Sequence, residues 1–466
     1  MNTTLKPIKK RKSINGFVLL FTVLIIGAIL TYILPAGEYT RAMVNGHNAV
    51  IPDTYKTLGN TPTSFLELFT SIHQGLVEGG PILFYVIIIG GMFSVINSTG
   101  AIDALLSSAS KKLVNKDLVF IAVLMFIFSM GGALVGMGEE ALIYVPLIIP
   151  VALSLGFDVI AGTFIVVFGM GTGFTTAIMN PFTVGIAQSI AGLPMFSGIL
   201  VRLSVYVFMY VLAVAFVYRY TLKVKKDTNF GFFGDGKYKM RNNPNAADIE
   251  FQLKHKLILG VFLIGIASLV FGTMKYGWYM GEMSAVFIIV TILVALISRM
   301  SSDELIKYFL KGAENILPGA LLIGLAKAIV VVLTNGNIID TILYQSASLL
   351  QTVPSSISVV GMFIVQGLIH FLVPSGSGQA MLTMPIMVPL ADLLHVTRQT
   401  ACLIFSLADG IGNSIYPTSG ILMATLAIAG IPYGKWLKAI WPLIVGQVAI
   451  ALIATITANI LHYGPF

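Results

Sequence analysis

The apolar residues of this chain fall in long unbroken blocks, neither in stripes nor in alternation. In the first half such blocks cover Phe17–Leu34, Gly79–Ile102, Leu118–Gly138, Ala141–Phe157, Val159–Val201 and Leu203–Tyr218. They resume at Leu257–Met274, Met283–Ser298, a Lys327-interrupted run Asn315–Ile339, Thr341–Ile369, Phe371–Ala391, Gly410–Gly434 and Ala439–Leu461. About 20 apolar residues in a helix cross the hydrocarbon of a bilayer. Continuous rather than alternating runs exclude a β-barrel. The pattern predicts an all-α polytopic membrane protein. No A-x-A-like cleavage site follows Phe17–Leu34, so this run reads as a retained first helix and not as a signal peptide.

Composition agrees. The chain is 56% hydrophobic and 10% charged, against roughly 25% charged in soluble domains. The single Cys402 excludes a disulfide framework or a cysteine metal site. The histidines show no ligand spacing, and no phosphate- or dinucleotide-binding glycine loop is present. Neither an enzyme, a cofactor nor a nucleic-acid partner is expected.

The charges that remain are sorted. Five basic residues lie in the N-terminus, three at 111–116, nine in and around the linker 221–255, three at 299–311 and two at 435–438. These 22 of 28 fall in segments that one orientation places inside. Arg41, Lys56, Lys275 and Arg398 fall outside, and Arg202 and Lys327 lie in apolar runs. The bias predicts a cytoplasmic N-terminus and linker. The expected organisation is a basic cytoplasmic segment 1–13, a first transmembrane helix 14–36, a repeat unit 65–220, the linker 221–255, two connecting helices 256–300 and a second repeat unit 301–462.

The units are assigned by an internal match. The segment from Gly75 aligns with that from Gly312, pairing Pro81 with Pro318 and Asp103 with Asp340. Further on, Pro146 and Pro150 match Pro385 and Pro389, and Gly171-x-Gly173 matches Gly410-x-Gly412. Ile190-Ala191-Gly192-Leu193-Pro194 matches Ile428-Ala429-Gly430-Ile431-Pro432. By the charge count the first unit starts outside and the second inside. The repeats are then antiparallel, the architecture of alternating-access secondary transporters.

Each unit holds two interruptions. Gly136-Met137-Gly138-Glu139-Glu140 and Pro374-Ser375-Gly376-Ser377-Gly378-Gln379 each divide an apolar stretch, and read as tips of re-entrant hairpins. Gly171-Thr172-Gly173-Phe174-Thr175-Thr176 up to Asn180-Pro181, and Asp409-Gly410-Ile411-Gly412-Asn413-Ser414 up to Pro417-Thr418, read as broken helices. Irregular backbone at that depth is tolerated where it lines a cavity or is buried in protein. Candidate substrate-binding residues are therefore Glu139, Glu140, Thr175, Thr176, Asn180, Ser375, Ser377, Gly378, Gln379, Asn413, Ser414 and Thr418. Thr172 and Asn413 offer oxygens for sodium; coupling to sodium or protons is the alternative to simple exchange.

The blocks GEEALIYVPLIIPVALSLGFD (from Gly138), MNPFTVGIAQSIAGLP (from Met179), FLVPSGSGQAMLTMPIMVPLADLLHVTRQTA (from Phe371) and YPTSGILMATLAIAGIPYGKW (from Tyr416) resemble the C4-dicarboxylate anaerobic carrier-like family. They look most like its YfcC-type branch of basic amino-acid antiporters. The resemblance implies the ion-transporter-superfamily architecture, a bacterial inner membrane and a homodimer. The two names imply substrates of opposite charge.

Ionised groups inside a membrane are costly and mark function by default. Glu139 and Glu140 form an acidic tip. The second tip is uncharged, and a helix N-terminus there favours an anion. That polarity suits an amino acid with a cationic side chain, of arginine or ornithine type, carried by an antiporter. A proton- or sodium-coupled C4-dicarboxylate carrier is the alternative; a passive channel or a non-transporting receptor is the reading from another class. Lys327 is expected to pair with Glu139, Glu140 or Asp409, or to act as a displaceable internal cation. Asp409 is expected at the start of the second break, either binding a cation or capping the next segment. Arg202 is expected to snorkel to an interface, and Glu78 to cap a helix.

Overall fold

The computed structural model describes residues 16–44, 47–102, 104, 116–227, 229–232, 252–276, 278, 280–352 and 355–464. The segment 1–13, the part 233–251 of the linker, Lys111 and Lys112, and the Asp103 repeat position lie outside the described residues.

Seventeen helices are labelled here. They are α1 Gly16–Ile33, α2 Phe65–Glu78, α3 Gly80–Ser98, α4 Asp117–Met130 and α5 Ala141–Ser154; α6 Val159–Thr176, α7 Ile186–Ile190 and α8 Ile199–Lys226; α9 Leu253–Tyr276, α10 Met280–Ser298, α11 Ser302–Asn335 and α12 Ile339–Leu350; α13 Ser355–Leu372, α14 Gly376–Leu393, α15 Arg398–Asn413, α16 Gly420–Ala429 and α17 Tyr433–Ile460. Among the described residues seven helices are long and apolar enough to cross a membrane. The protein is all-α and polytopic. Two-stranded sheets, β1 Gly37–Glu38 with β4 Lys56–Thr57 and β2 Arg41–Val44 with β3 His47–Val50, decorate the loop after α1. The block pattern gave no sign of them.

Polar residues at the helix starts close the free N–H groups. Ser64 and Glu67 form a capping box on α2, as Ser301 and Glu304 do on α11. Bonds from the Ser64 backbone and hydroxyl hold the Glu67 carboxyl below its usual range. Asp158 caps α6 by accepting from Ala161 N–H at 2.8 Å.

Helices α4 and α5 form one hairpin. Phe120 at the start of α4 meets Phe157 just beyond α5, with ring centroids 6.2 Å apart. Lys225, near the end of α8, bonds Asp117 at 2.7 Å and lies 5.1 Å over the Phe157 ring. Helices α13 and α14 form the second hairpin. Its base carries Arg398, paired to Asp392 at 2.7 Å, and Gln399, which bonds Ser197 just before α8. The two bases therefore sit at opposite ends of α8. That helix has 28 residues, or about 42 Å at 1.5 Å per residue.

Matched positions meet each other in exchange. A methyl group added to Gly75 would collide with Gly324 and Ala328, while one on Gly312 would collide with Gly90. The repeat pairs Gly75 with Gly312 and Gly90 with Lys327. Likewise a methyl on Gly171 would lie 3.5 Å from Ser414 Oγ, while one on Gly410 would collide with Thr175. The repeat pairs 171 with 410 and 175 with 414.

Several details differ from the expectations. The run Thr341–Ile369 is two helices, α12 and α13. The Gly-rich runs 171–176 and 409–413 do not break their helices; α6 continues to Thr176 and α15 to Asn413. Their glycines serve close approach instead: Gly173 lies on Ser129 and Ala133 of the first hairpin, Gly410 on Thr175. Arg202 does not snorkel. It is 2% exposed and donates to the carbonyls of Ile178, Phe196 and Ser197, filling acceptors that two broken segments leave free. Glu78 ends α2, and α3 begins at Gly80 behind Gly79, with no side-chain cap.

The crossing gives a packing test. A Gly410→Ala change is expected to destabilise the detergent-solubilised protein by about 1–3 kcal/mol, the cost of overpacking. Gly434→Ala, where nothing lies within reach of the added methyl, should be neutral. Equal melting temperatures for the two variants would rule out the tight crossing.

Candidate functional site

The centre of the molecule is the crossing of α6 and α15, and both hairpin tips reach it. The first tip starts where α4 widens into the π-helical turn Gly131–Val135. Gly136 then takes φ 78°, a conformation that costs glycine nothing. A methyl there would stand 2.6 Å from Asn180 Oδ1, so this tip rests against the break after α6. Asn180 Oδ1 accepts from Phe182 N–H at 2.9 Å, and its Nδ2 has no partner.

The two glutamates of the tip differ. Glu140 is buried, and its Oε2 accepts from Gly138 N–H at 2.9 Å. That bond fixes the turn. Glu139 is partly exposed and within reach of the Lys327 charge. Lys327 stands at the α2–α3 junction, where a methyl on Gly79 would lie 3.4 Å from its Cγ. No ion pair of Lys327 occurs among the described residues.

The second tip is capped by Ser375, whose Oγ accepts from Gly378 N–H at 3.3 Å. Ser375 and Gly378 are exposed and Gly376 and Ser377 partly so. The first N–H groups of α14 have no helical acceptor. The tip is not electrically neutral ground, however. A methyl on Gly376 would lie 3.5 Å from Asp409 Oδ2 and 2.7 Å from Thr183 Cγ2. Asp409 sits inside α15, not at a loop start, and is fully buried. Its Oδ1 is 2.9 Å from His370 Nδ1. That nitrogen also faces Gln379 Oε1 at 2.8 Å, and the alignment favours Gln379, so neither Asp409 oxygen has a well-directed hydrogen bond. Thr183 Oγ1 and Thr418 Oγ1 are likewise buried without partners. Buried polar atoms are nearly always satisfied; these orphans gather around the breaks and the second tip.

Other candidates are committed elsewhere. Gln379 is fully buried and turned away from the tip surface, bonding His370 and the Gln366 carbonyl and side chain at 2.8 Å. Thr172 donates to Phe168 carbonyl and Thr176 to Thr172 carbonyl. Asn413 Nδ2 donates to Asp409 carbonyl at 3.1 Å. Ser414 is buried, with its carbonyl taken by Trp436 Nε1. Thr175 is buried against Gly410. His370, Gln366 and Thr183 were not anticipated. Only the position of His370, four residues before Pro374, marked it as part of a tip.

The chain matches the family model described as C4-dicarboxylate anaerobic carrier over residues 15–460. It is 30% identical to an uncharacterized protein of Haemophilus influenzae, over 94% of this chain and 95% of that one. It is also 30% identical to an Escherichia coli protein named "Putative basic amino acid antiporter YfcC", over 94% of each. The solved structures of Neisseria gonorrhoeae MtrF and the Alcanivorax borkumensis YdaH transporter are more distant. Each is 14% identical, with TM-scores of 0.42 and 0.44, covering 97% of this chain and 96% and 99% of theirs. The helical membrane fold and the full-length family match agree, and the chain belongs to the C4-dicarboxylate anaerobic carrier family of membrane transporters.

Proposed function

We propose that this protein is a basic amino-acid antiporter of arginine/ornithine type, working by alternating access between two inverted repeats. The observation that carries the substrate class is acidity on both sides of the crossing: Glu139 partly exposed on the first tip, and Asp409 buried without a directed hydrogen bond beside the second. Asp409 Oδ1 has the His370 ring nitrogen at 2.9 Å but no directed hydrogen bond; burying an under-satisfied carboxylate is costly, and a cationic ligand lowers that cost. In this pose the substrate side chain meets Glu139. Its α-ammonium meets Asp409, and its α-carboxylate takes the free N–H groups of Gly376 and Ser377. Thr418 and Thr183 hydroxyls complete the polar lining. The reciprocal contacts at Gly75/Gly312 and Gly171/Gly410 support the inverted repeat. We assign the protein to the bacterial inner membrane, N-terminus inside by the bias of its basic residues, as the homodimer that the family resemblance implies.

Counterflow into liposomes with arginine, ornithine, lysine, succinate and fumarate tests the substrate class. Exchange of cationic amino acids is expected. Transport of succinate or fumarate and no cationic amino acid would establish the second reading, a proton- or sodium-coupled dicarboxylate carrier; Lys327 and the second-tip N–H groups are the features that favour it. Orientation has its own check. In a Cys402→Ala background, Asn243→Cys should be labelled only from the cytoplasmic side; labelling from outside alone reverses the assignment.

A further inference from the structure

Phe174 is used by none of the charge arguments, yet it touches both tips. A methyl on Gly138 would lie 3.9 Å from its Cε2, and one on Gly376 would lie 3.6 Å from its Cζ. One ring edge therefore separates the two hairpins. Each side of that edge carries a carboxylate. Glu139 follows Gly138 in sequence, and Asp409 Oδ2 would be 3.5 Å from the methyl on Gly376. The ring is partly exposed although Gly173, Thr175 and Thr176 around it are buried. Its backbone is held in place, since a methyl on Gly132 would stand 2.8 Å from Phe174 N.

We propose that Phe174 is a specificity-determining ligand contact, whose ring face receives the side-chain cation of the substrate beside Glu139. The inference rests on the cation-accepting reading of the site and names the residue that sharpens it. An aromatic face carries negative potential and its edge positive potential. Cε2 alone comes within 4 Å of a methyl on Gly138, an edge-on approach to the first tip, and the ligand is assigned a ring face. A cation over that face is attracted, and a dicarboxylate is repelled by the face and by both acids. A planar guanidinium also stacks on the ring, which an ammonium does not do. Arginine should therefore depend on the ring more than ornithine.

The test keeps shape and changes charge. Phe174 is replaced in the full-length protein by mono-, di- and trifluorinated phenylalanine, and arginine, ornithine and succinate binding is measured in nanodiscs. The arginine Kd is expected to rise stepwise, by about tenfold in total, or ~1.4 kcal/mol, with a smaller rise for ornithine. Phe174→Trp should retain affinity, and Phe174→Leu should match the trifluorinated protein. A flat fluorination series at unchanged folded yield would overturn the proposal and leave the ring a spacer. The series decides the matter even where Phe174→Leu fails to fold. A flat series together with loss of binding on Glu139→Gln places the failure at the ring. Succinate binding without arginine binding in the unmodified protein overturns the inference together with the reading beneath it.

Discussion

A Glu139→Gln variant is expected to exchange arginine and ornithine at one tenth of the parental rate or less, at a folded yield close to parental. Glu139 is the acid that the first tip leaves partly exposed. Loss of one member of a desolvated charge pair costs about 3–5 kcal/mol when the partner stays buried, and each ~1.4 kcal/mol is a decade. Glu140→Gln should behave differently. Its Oε2 holds the Gly138 N–H at 2.9 Å, and a glutamine oxygen can still accept that bond. A smaller transport loss is expected, with most of the change in thermal stability. Counterflow rates set against melting temperatures separate the two residues. Parental exchange by the folded double variant would remove the first tip from the site.

The second large effect has opposite signs on stability and function. Asp409→Asn is expected to raise the melting temperature while reducing arginine/ornithine exchange at least tenfold. The carboxylate is fully buried, with Oδ1 2.9 Å from His370 Nδ1 but no directed hydrogen bond; with that nitrogen's proton directed to Gln379, neutralising Asp409 removes a desolvation cost on the order of 1 kcal/mol or more. No new orphan is created at His370, because its Nδ1 keeps Gln379 Oε1 at 2.8 Å. A group kept at a cost to stability is retained for what it binds. A destabilised Asp409→Asn protein with normal exchange would make Asp409 a structural residue and return the second tip to an anion-binding role.

Much of this was legible in sequence because a bilayer leaves few options. Unbroken apolar blocks must be helices, and matched Pro, Gly and Asp positions survive as a register even where apolar residues drift. The tips were legible for the same reason, since 136–140 and 374–378 have the wrong composition for lipid. The glycine runs were not. Gly171–Gly173 and Gly410–Gly412 have the local composition of breaks, but a partner helix supplies the atoms that a side chain would have provided, and the backbone bonds stay intact. Whether a glycine breaks or packs depends on what lies across from it, which no local window contains. Asp409 was singled out in sequence, but its place beside the second tip was not legible, for a related reason. It is 33 residues from Gly376 along the chain, and only the crossing brings them together. The network of His370, Gln379 and Gln366 was hidden because one histidine in an apolar helix carries no spacing signal.

The loop after α1 gives the molecule a front and a back. Strand β3 packs on α14, and Arg41 clamps Asp340 at the start of α12 through both carboxylate oxygens, at 2.8 and 3.0 Å. The base of the second hairpin is thus strapped by folded chain. The base of the first is held to α8 by Lys225 and Asp117, at the end from which the long polar linker departs. The two hairpins are thus anchored unequally among the described residues: one has folded chain from outside both hairpins laid against it, the other a single lysine–aspartate pair and a ring contact.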